Sequence, residues 1–372
     1  MDRDPLIKKR AGHGGDIYSD PSRRWLDLSA NINPGAFPAA LYEALPHILE
    51  EARAYPDIEY RKLREDLAAY AGRPGQVSID PAWIIPGNGA VEILDRGIAA
   101  AGRVLLVQPC FSEYELSCIR HGIPYEVLTR EPSQELCLEE GFFAALQARL
   151  TGSLEGQDPI DLVVLCNPNN PDGKRYGREA FRAFLGALQG TGVRVMVDET
   201  FGEYLEDEEM LMPLIKEYED LLVVKALTKF FGLPGVRLGY GITRSKGWRS
   251  AITDRLTTWN VGTFAQGIAR LLIQEEGFIE SSRDDNRATR RYLYGELTKT
   301  GLFDEVYPSA ASFIMVYREE MATLIHELES RGILIRDLTN MAGLGPGYAR
   351  IAVKDRVHAA GLLRALADIR GF

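Results

Sequence analysis

Seven short runs between residues 83 and 242 decide what this chain can fold into. They lie at residues 83–85, 103–107, 125–128, 161–165, 193–197, 221–224 and 238–242, and most are apolar on both faces, as in Leu221-Leu-Val-Val224. A strand with two apolar faces needs cover on each, and stretches such as 90–101 and 178–189 are long enough to supply it as helices. The pattern predicts an α/β protein with a mostly parallel seven-stranded sheet in a large domain, helices on both faces. With 372 residues, 45% of them hydrophobic, the chain can bury such a core and has length left for a smaller unit.

Upstream, apolar residues recur at three and four over 38–51 and 58–71, including Leu63, Leu67 and Tyr70, which marks two amphipathic helices separated by Tyr55-Pro56-Asp57. Downstream, 264–298 reads as one long helix bridging two domains. Strands at 312–317, 332–335 and 349–353 then alternate with helices at 321–330 and 355–369, a smaller α+β domain. Residues 1–20, with Gly12-His13-Gly14-Gly15, read as an extended arm that is ordered only where something docks it. The expected division is an arm at 1–35 that packs with the small domain or a partner subunit, a large domain at 36–260, and the interdomain helix with the small domain at 261–372.

A net charge of −10 and a pI near 5.2, with no local run of lysine or arginine, argue against nucleic acid or an anionic membrane as partner. The N-terminus lacks the apolar core of a signal peptide, and no apolar run approaches the roughly 20 residues of a membrane span, so a cytoplasmic location is expected. Cys110, Cys118, Cys137 and Cys166 have neither disulfide-like nor metal-like spacing, and no metal is expected.

Ligands of an open parallel sheet bind at the carboxyl ends of its strands, so the residues just after each run are the first candidates. Lys229 follows Leu221-Leu-Val-Val224 and precedes two phenylalanines, where desolvation favours a neutral, nucleophilic amine; a lysine snorkelling from a buried strand would look the same. The first strand runs into Gly87-Asn88-Gly89-Ala90 and a helix, which suits a phosphate or a plain tight turn. Glu92, where a dinucleotide motif wants glycine, would repel a pyrophosphate and favours a single phosphate group.

Phe111 stands where a ring can stack on a planar ligand, or merely pack under a loop. In Asn167-Pro-Asn-Asn-Pro171 two Asn-Pro pairs stiffen a loop that presents Asn170. Asp198 ends an apolar run, where it either caps a turn or faces a cation such as a protonated pyridine nitrogen. Arg237, Arg336 and Arg350 each enter or leave an apolar strand. Any one of them fits an ion pair, while the three together suggest a substrate with more than one anionic group.

Taken in order, Gly87-Asn-Gly-Ala90, Phe111, Asn170, Asp198, Lys229 and Arg237 resemble the site of fold-type I enzymes dependent on pyridoxal 5′-phosphate, the class I/II aminotransferase superfamily, over nearly the whole chain. The resemblance implies a Schiff base from Lys229, Asp198 on the pyridine nitrogen, Asn170 on the ring hydroxyl and Phe111 stacked on the ring. It further implies phosphate contacts from Asn88, Gly89, Ala90, Thr228 and Arg237. Tyr55 would reach the cofactor phosphate of a neighbouring subunit, hence a homodimer with shared sites, and Arg350 would bind the substrate carboxylate.

Within that superfamily, Gly12-His-Gly-Gly15 and Leu28-Ser-Ala-Asn-Ile-Asn-Pro34 resemble the threonine-phosphate decarboxylases of cobalamin biosynthesis, close to the histidinol-phosphate aminotransferases. The aminotransferases usually have Asn-Glu-Asn-Pro where this chain has Asn31-Ile-Asn-Pro34, and a tyrosine where it has Phe201. Ala226 replaces a hydroxyl that relatives offer the phosphate.

The reaction this implies is decarboxylation of a phosphorylated amino acid, O-phospho-L-threonine, with His13, Asn31 and Arg336 holding its phosphate. Transamination of histidinol phosphate or a related amino acid by nearly the same residues is the alternative. A non-enzymatic relative sits poorly with an intact Lys229, Asp198 and Asn170, and a nicotinamide dehydrogenase with Glu92 and Lys229.

Overall fold

The structure, a computed structural model, describes residues 13–18, 20–152 and 158–370; residues 1–12 and 19 of the expected arm lie outside the described residues. Strand β1 (Leu26–Leu28) comes first, and β2 (Ile84–Gly87), β3 (Val104–Gln108), β4 (Tyr125–Thr129) and β5 (Cys137–Leu138) follow. Next are β6 (Leu162–Cys166), β7 (Arg175–Tyr176), β8 (Arg194–Asp198), β9 (Leu221–Ala226) and β10 (Gly239–Thr243). The C-terminal part adds β11 (Glu305–Val306), β12 (Phe313–Tyr317), β13 (Ile333–Asp337) and β14 (Tyr348–Ala352).

All seven predicted runs enter one sheet, ordered β2-β10-β9-β8-β6-β3-β4. Strand β10 runs antiparallel to both of its neighbours, and the other four pairings are parallel. Alternate residues feed opposite layers: Val163, Val195 and Val223 join one core, and Val164, Met196 and Val224 the other. Pro86 is tolerated because β2 is an edge strand, where a missing N–H breaks no ladder bond. The parallel strands β6, β8 and β9 end side by side in Cys166, Asp198 and Ala226.

The single helix expected over 264–298 is two, Thr263–Leu272 and Glu276–Thr300. The first buries Ala265, Ile268 and Leu272 in the large core, packed against the helix Ala39–Glu51. The second starts there with Ile279 and ends in another core with Leu293 and Leu297. Serving two cores requires a change of direction between them. Leu271, Leu272, Ile273 and Ile279 keep helical spacing through the break, and no proline marks it.

A second sheet has the order β1-β13-β14-β12-β11. Strand β1, too short to recognise in the sequence, pairs parallel to β13 with Leu26 beside Ile333 and Leu28 beside Ile335. That pairing brings the loop after β1 to the carboxyl ends of the large sheet. Among the described residues no helix is long and apolar enough to cross a membrane.

Candidate active site

A cavity of about 500 Å³ opens where β6, β8 and β9 end, walled on its far side by β13, β14 and residues 29–31. Of the residues singled out in the sequence, Gly89, Ala90, Phe111, Asn170, Asp198, Thr228, Lys229 and Arg237 line it. His13, Asn31, Arg336 and Arg350 line it as well. Asn88 and Tyr55 do not.

Lys229 sits in the loop after β9, its carbonyl fixed by the backbone N–H groups of Asn33 and Gly232 at 3.0 and 3.3 Å. Burial first, then the guanidinium groups of Arg350 and Arg237, pull its ammonium down to about 8. About a tenth of the group is therefore neutral amine at pH 7, far more than for an ordinary lysine, and that is the form that attacks a carbonyl.

Asp198 is 3% exposed, and burial raises its carboxyl above the usual range. Tyr114 donates its hydroxyl to Oδ2 at 2.6 Å and the Thr200 N–H donates to Oδ1 at 2.9 Å. No cation pairs with it among the described residues. A buried carboxylate supported by neutral donors alone is suited to a cationic ring nitrogen arriving from the cavity. Phe201 is buried and meets Phe313 edge-on at 5.0 Å, so the wall beside Asp198 is apolar.

The glycine turn departs from expectation in one residue. The backbone N–H of Asn88 is taken by Glu92 Oε2 at 2.6 Å, and the Asn260 amide donates to the same oxygen at 2.7 Å. Glu92 thus folds back onto the turn, and Asn88 lies exposed outside the cavity. What remains for an anion is Gly89, Ala90 at the helix start, Thr228 and Arg237. Gly89 has φ +79°, and a Cβ there would lie 2.7 Å from Arg237 Nη2, so the guanidinium rests against the bare backbone. Arg237 itself is left-handed at φ 59°, a conformation costing roughly 1 kcal/mol that is typical of functional sites.

At the opposite end Arg350 is buried in β14, with Cα register opposite Arg336 in β13. Burial, then Arg336, lowers Arg350 to about 9. It donates to Asn170 Oδ1 and, at 3.3 Å, to the carbonyl of Ser29, and its guanidinium lies 5.1 Å from the Phe313 ring centre. With the Asn31 amide turned so that its oxygen faces Arg350, that oxygen accepts from Nη2 and Nε at 3.2 Å. Arg336 donates to Asn340 at 2.8 Å.

His13 closes the mouth, 3.1 Å from Glu113 and with its ring centre 6.0 Å from that of Phe111. Gly14 allows this approach, since a Cβ there would meet the Ser29 oxygen at 2.2 Å. Tyr55 is 80% exposed and stacks on Trp259 at 4.4 Å, away from the cavity of its own chain.

Sequence reasoning missed Tyr114, Thr200, Glu113 and Met341. Thr200 was findable as a neighbour of a strand end. Tyr114 gave no signal beyond lying one helical turn after Phe111, and Met341 arrives from a loop whose position depends on the second sheet.

The model of the family "Aminotransferase class I and II" matches residues 23–367. A protein of Caldanaerobacter subterraneus, provisionally named threonine-phosphate decarboxylase, is 33% identical over 95% of this chain and 92% of its own length. Histidinol-phosphate aminotransferase of Halalkalibacterium halodurans is 29% identical over 92% of this chain and 88% of its own. Among solved structures, histidinol-phosphate aminotransferase of Clostridium acetobutylicum superposes with TM-score 0.83 at 28% identity, covering 92% of this chain and 98% of that one.

Proposed function

The chain belongs to the aminotransferase class I and II family of pyridoxal 5′-phosphate-dependent enzymes, and from that premise we propose that it decarboxylates O-phospho-L-threonine to (R)-1-amino-2-propanol O-phosphate. The observation that carries this reading is the surplus of positive groups around one cavity. Lys229, Arg237, Arg336 and Arg350 line it against the carboxylates of Asp198 and Glu113. Arg237 and the Gly89 turn suit the cofactor phosphate, and the cation-free Asp198 suits its ring nitrogen, which leaves Arg336 and Arg350 for the substrate. O-phosphothreonine brings a phosphate and a carboxylate, one for each arginine. Histidinol phosphate brings a phosphate alone, whereas the dicarboxylate partner of its transamination would use both arginines, so the pair favours the first reading only in the amino substrate.

When bound, the cofactor supplies a sink for the electron pair of the bond that breaks at the substrate α-carbon. Lys229 would be the covalent anchor and, once the substrate amine has displaced it, its ammonium form would give a proton to that carbon in place of the lost CO₂. Arg350 and Asn31 orient the carboxylate, while Arg336 and His13 hold the phosphate. Asn170 shares its oxygen with Arg350 and keeps its amide N–H groups for the ring hydroxyl. Phe201 and Phe313 keep water from the carboxylate side. The working unit in this reading is a cytoplasmic homodimer acting in cobalamin biosynthesis, with Tyr55 serving the neighbouring site and residues 36–260 binding the cofactor.

Transamination of histidinol phosphate is the second reading, favoured by the likeness to enzymes of that name. Phe201, where the aminotransferases keep a tyrosine, weighs against it. The test incubates cofactor-loaded enzyme with O-phosphothreonine and no keto acid. CO₂ release is expected; its absence, together with turnover of histidinol phosphate and 2-oxoglutarate, would replace the first reading by the second.

A further inference from the structure

Tyr114 is 1% exposed, lies in the first turn of the helix Glu113–His121, and touches two groups that face the cavity. Its ring meets Phe111 edge-on at 5.7 Å and 86°, and its hydroxyl donates to Asp198 at 2.6 Å. The other Asp198 oxygen is held by the Thr200 N–H at 2.9 Å, and the Thr200 side chain adds its own hydrogen bond to the carboxylate. The phenol is thus the side-chain donor that reaches this carboxylate from outside its own loop, across 84 residues of sequence. Burial, and next the Asp198 charge, push the phenol well above its ordinary value, so it stays the donor at any working pH.

We propose that Tyr114 is a positioning residue that fixes the Asp198 carboxylate and biases the proton it shares with the cofactor toward the ring nitrogen. This rests on the reading of Asp198 as the partner of that nitrogen. A short hydrogen bond to a carboxylate stabilises its ionised form and lowers its basicity. Without the phenol, Asp198 competes better for the shared proton. The ring then becomes a poorer electron acceptor, although every group that touches the substrate is unchanged.

The test is Tyr114→Phe in enzyme loaded with cofactor carrying ¹⁵N in the ring, read by the nitrogen chemical shift. The shift is expected to move toward the unprotonated value. With it, kcat should fall by roughly tenfold at unchanged KM, the loss of one hydrogen bond to a charged group. Asp198→Asn is the control. If Asp198→Asn moves the shift and Tyr114→Phe does not, the proposal is overturned while the reading of Asp198 stands. If neither moves it, that reading itself fails. Should Tyr114→Phe not fold, 3-fluorotyrosine placed at position 114 keeps the packing and strengthens the donor. The shift should then move the opposite way, and an unmoved signal overturns the proposal.

Discussion

Arg336 and Arg350 stand directly across from one another on neighbouring antiparallel strands, and both line the same cavity. Like charges in register across a strand pair destabilise a sheet by a few tenths of a kcal/mol or more. The ligand-free chain thus carries an electrostatic cost that an anionic ligand relieves.

Arg336→Met separates these two effects. It should raise the stability of the ligand-free protein by about 0.5 kcal/mol while raising KM for a phosphorylated substrate roughly 10- to 100-fold. Denaturant midpoints and initial-rate kinetics on one preparation check both. A destabilised ligand-free variant would show that Arg336 is a structural ion-pair partner.

Lys229 gives a pH signature. Its ammonium falls from an ordinary 10.5 to about 8, so between those values the folded chain binds fewer protons than the unfolded one. Stability attributable to this group therefore rises with pH across that window. Below it both states carry the charge, and burying it costs on the order of 2 kcal/mol. Lys229→Met should stabilise the cofactor-free protein at neutral pH, with the gain fading between about pH 8 and 10.5. An equal gain at pH 7 and pH 10 would assign the effect to packing instead of charge.

Gly89→Ala addresses the phosphate corner. At φ +79° an alanine is strained, and its Cβ would push on Arg237 Nη2. Affinity for pyridoxal 5′-phosphate should drop roughly tenfold, with affinity for pyridoxal, which has no phosphate, nearly unchanged. Equal losses for both compounds would move the phosphate away from this turn.

The large sheet was legible because most of its strands are apolar on both faces, a pattern that survives without knowing the neighbours. Most of the cavity followed, since strand ends at a common edge must converge. What escaped depends on partners distant in sequence. Strand β1 is three residues long and exists by virtue of β13. The break after Leu272 reflects two cores pulling one apolar stripe in different directions. Asn88 looked like part of an anion turn, yet its N–H is taken by Glu92, a residue read only as a source of repulsion. In each case local spacing was compatible with two geometries, and tertiary contact selected one.

Tyr55 offers a test of assembly and site together. It is exposed beside Trp259, and Tyr42, Leu45, Leu49 and Ile58 are exposed apolar residues near it in sequence, an expensive surface for a single chain to leave in water. If Tyr55 serves the cofactor phosphate of a second copy, Tyr55→Ala and Lys229→Met damage the same site from different chains. Each variant alone should have little or no activity. Refolded together they form mixed dimers in which one site has Lys229 from one chain and Tyr55 from the other, and activity should return. If Tyr55 acts on its own chain or not at all, mixing restores nothing beyond the activity of the Tyr55→Ala chain, because every site with an intact Lys229 then still has the alanine. The rate of the mixture against the sum of its components distinguishes the two arrangements.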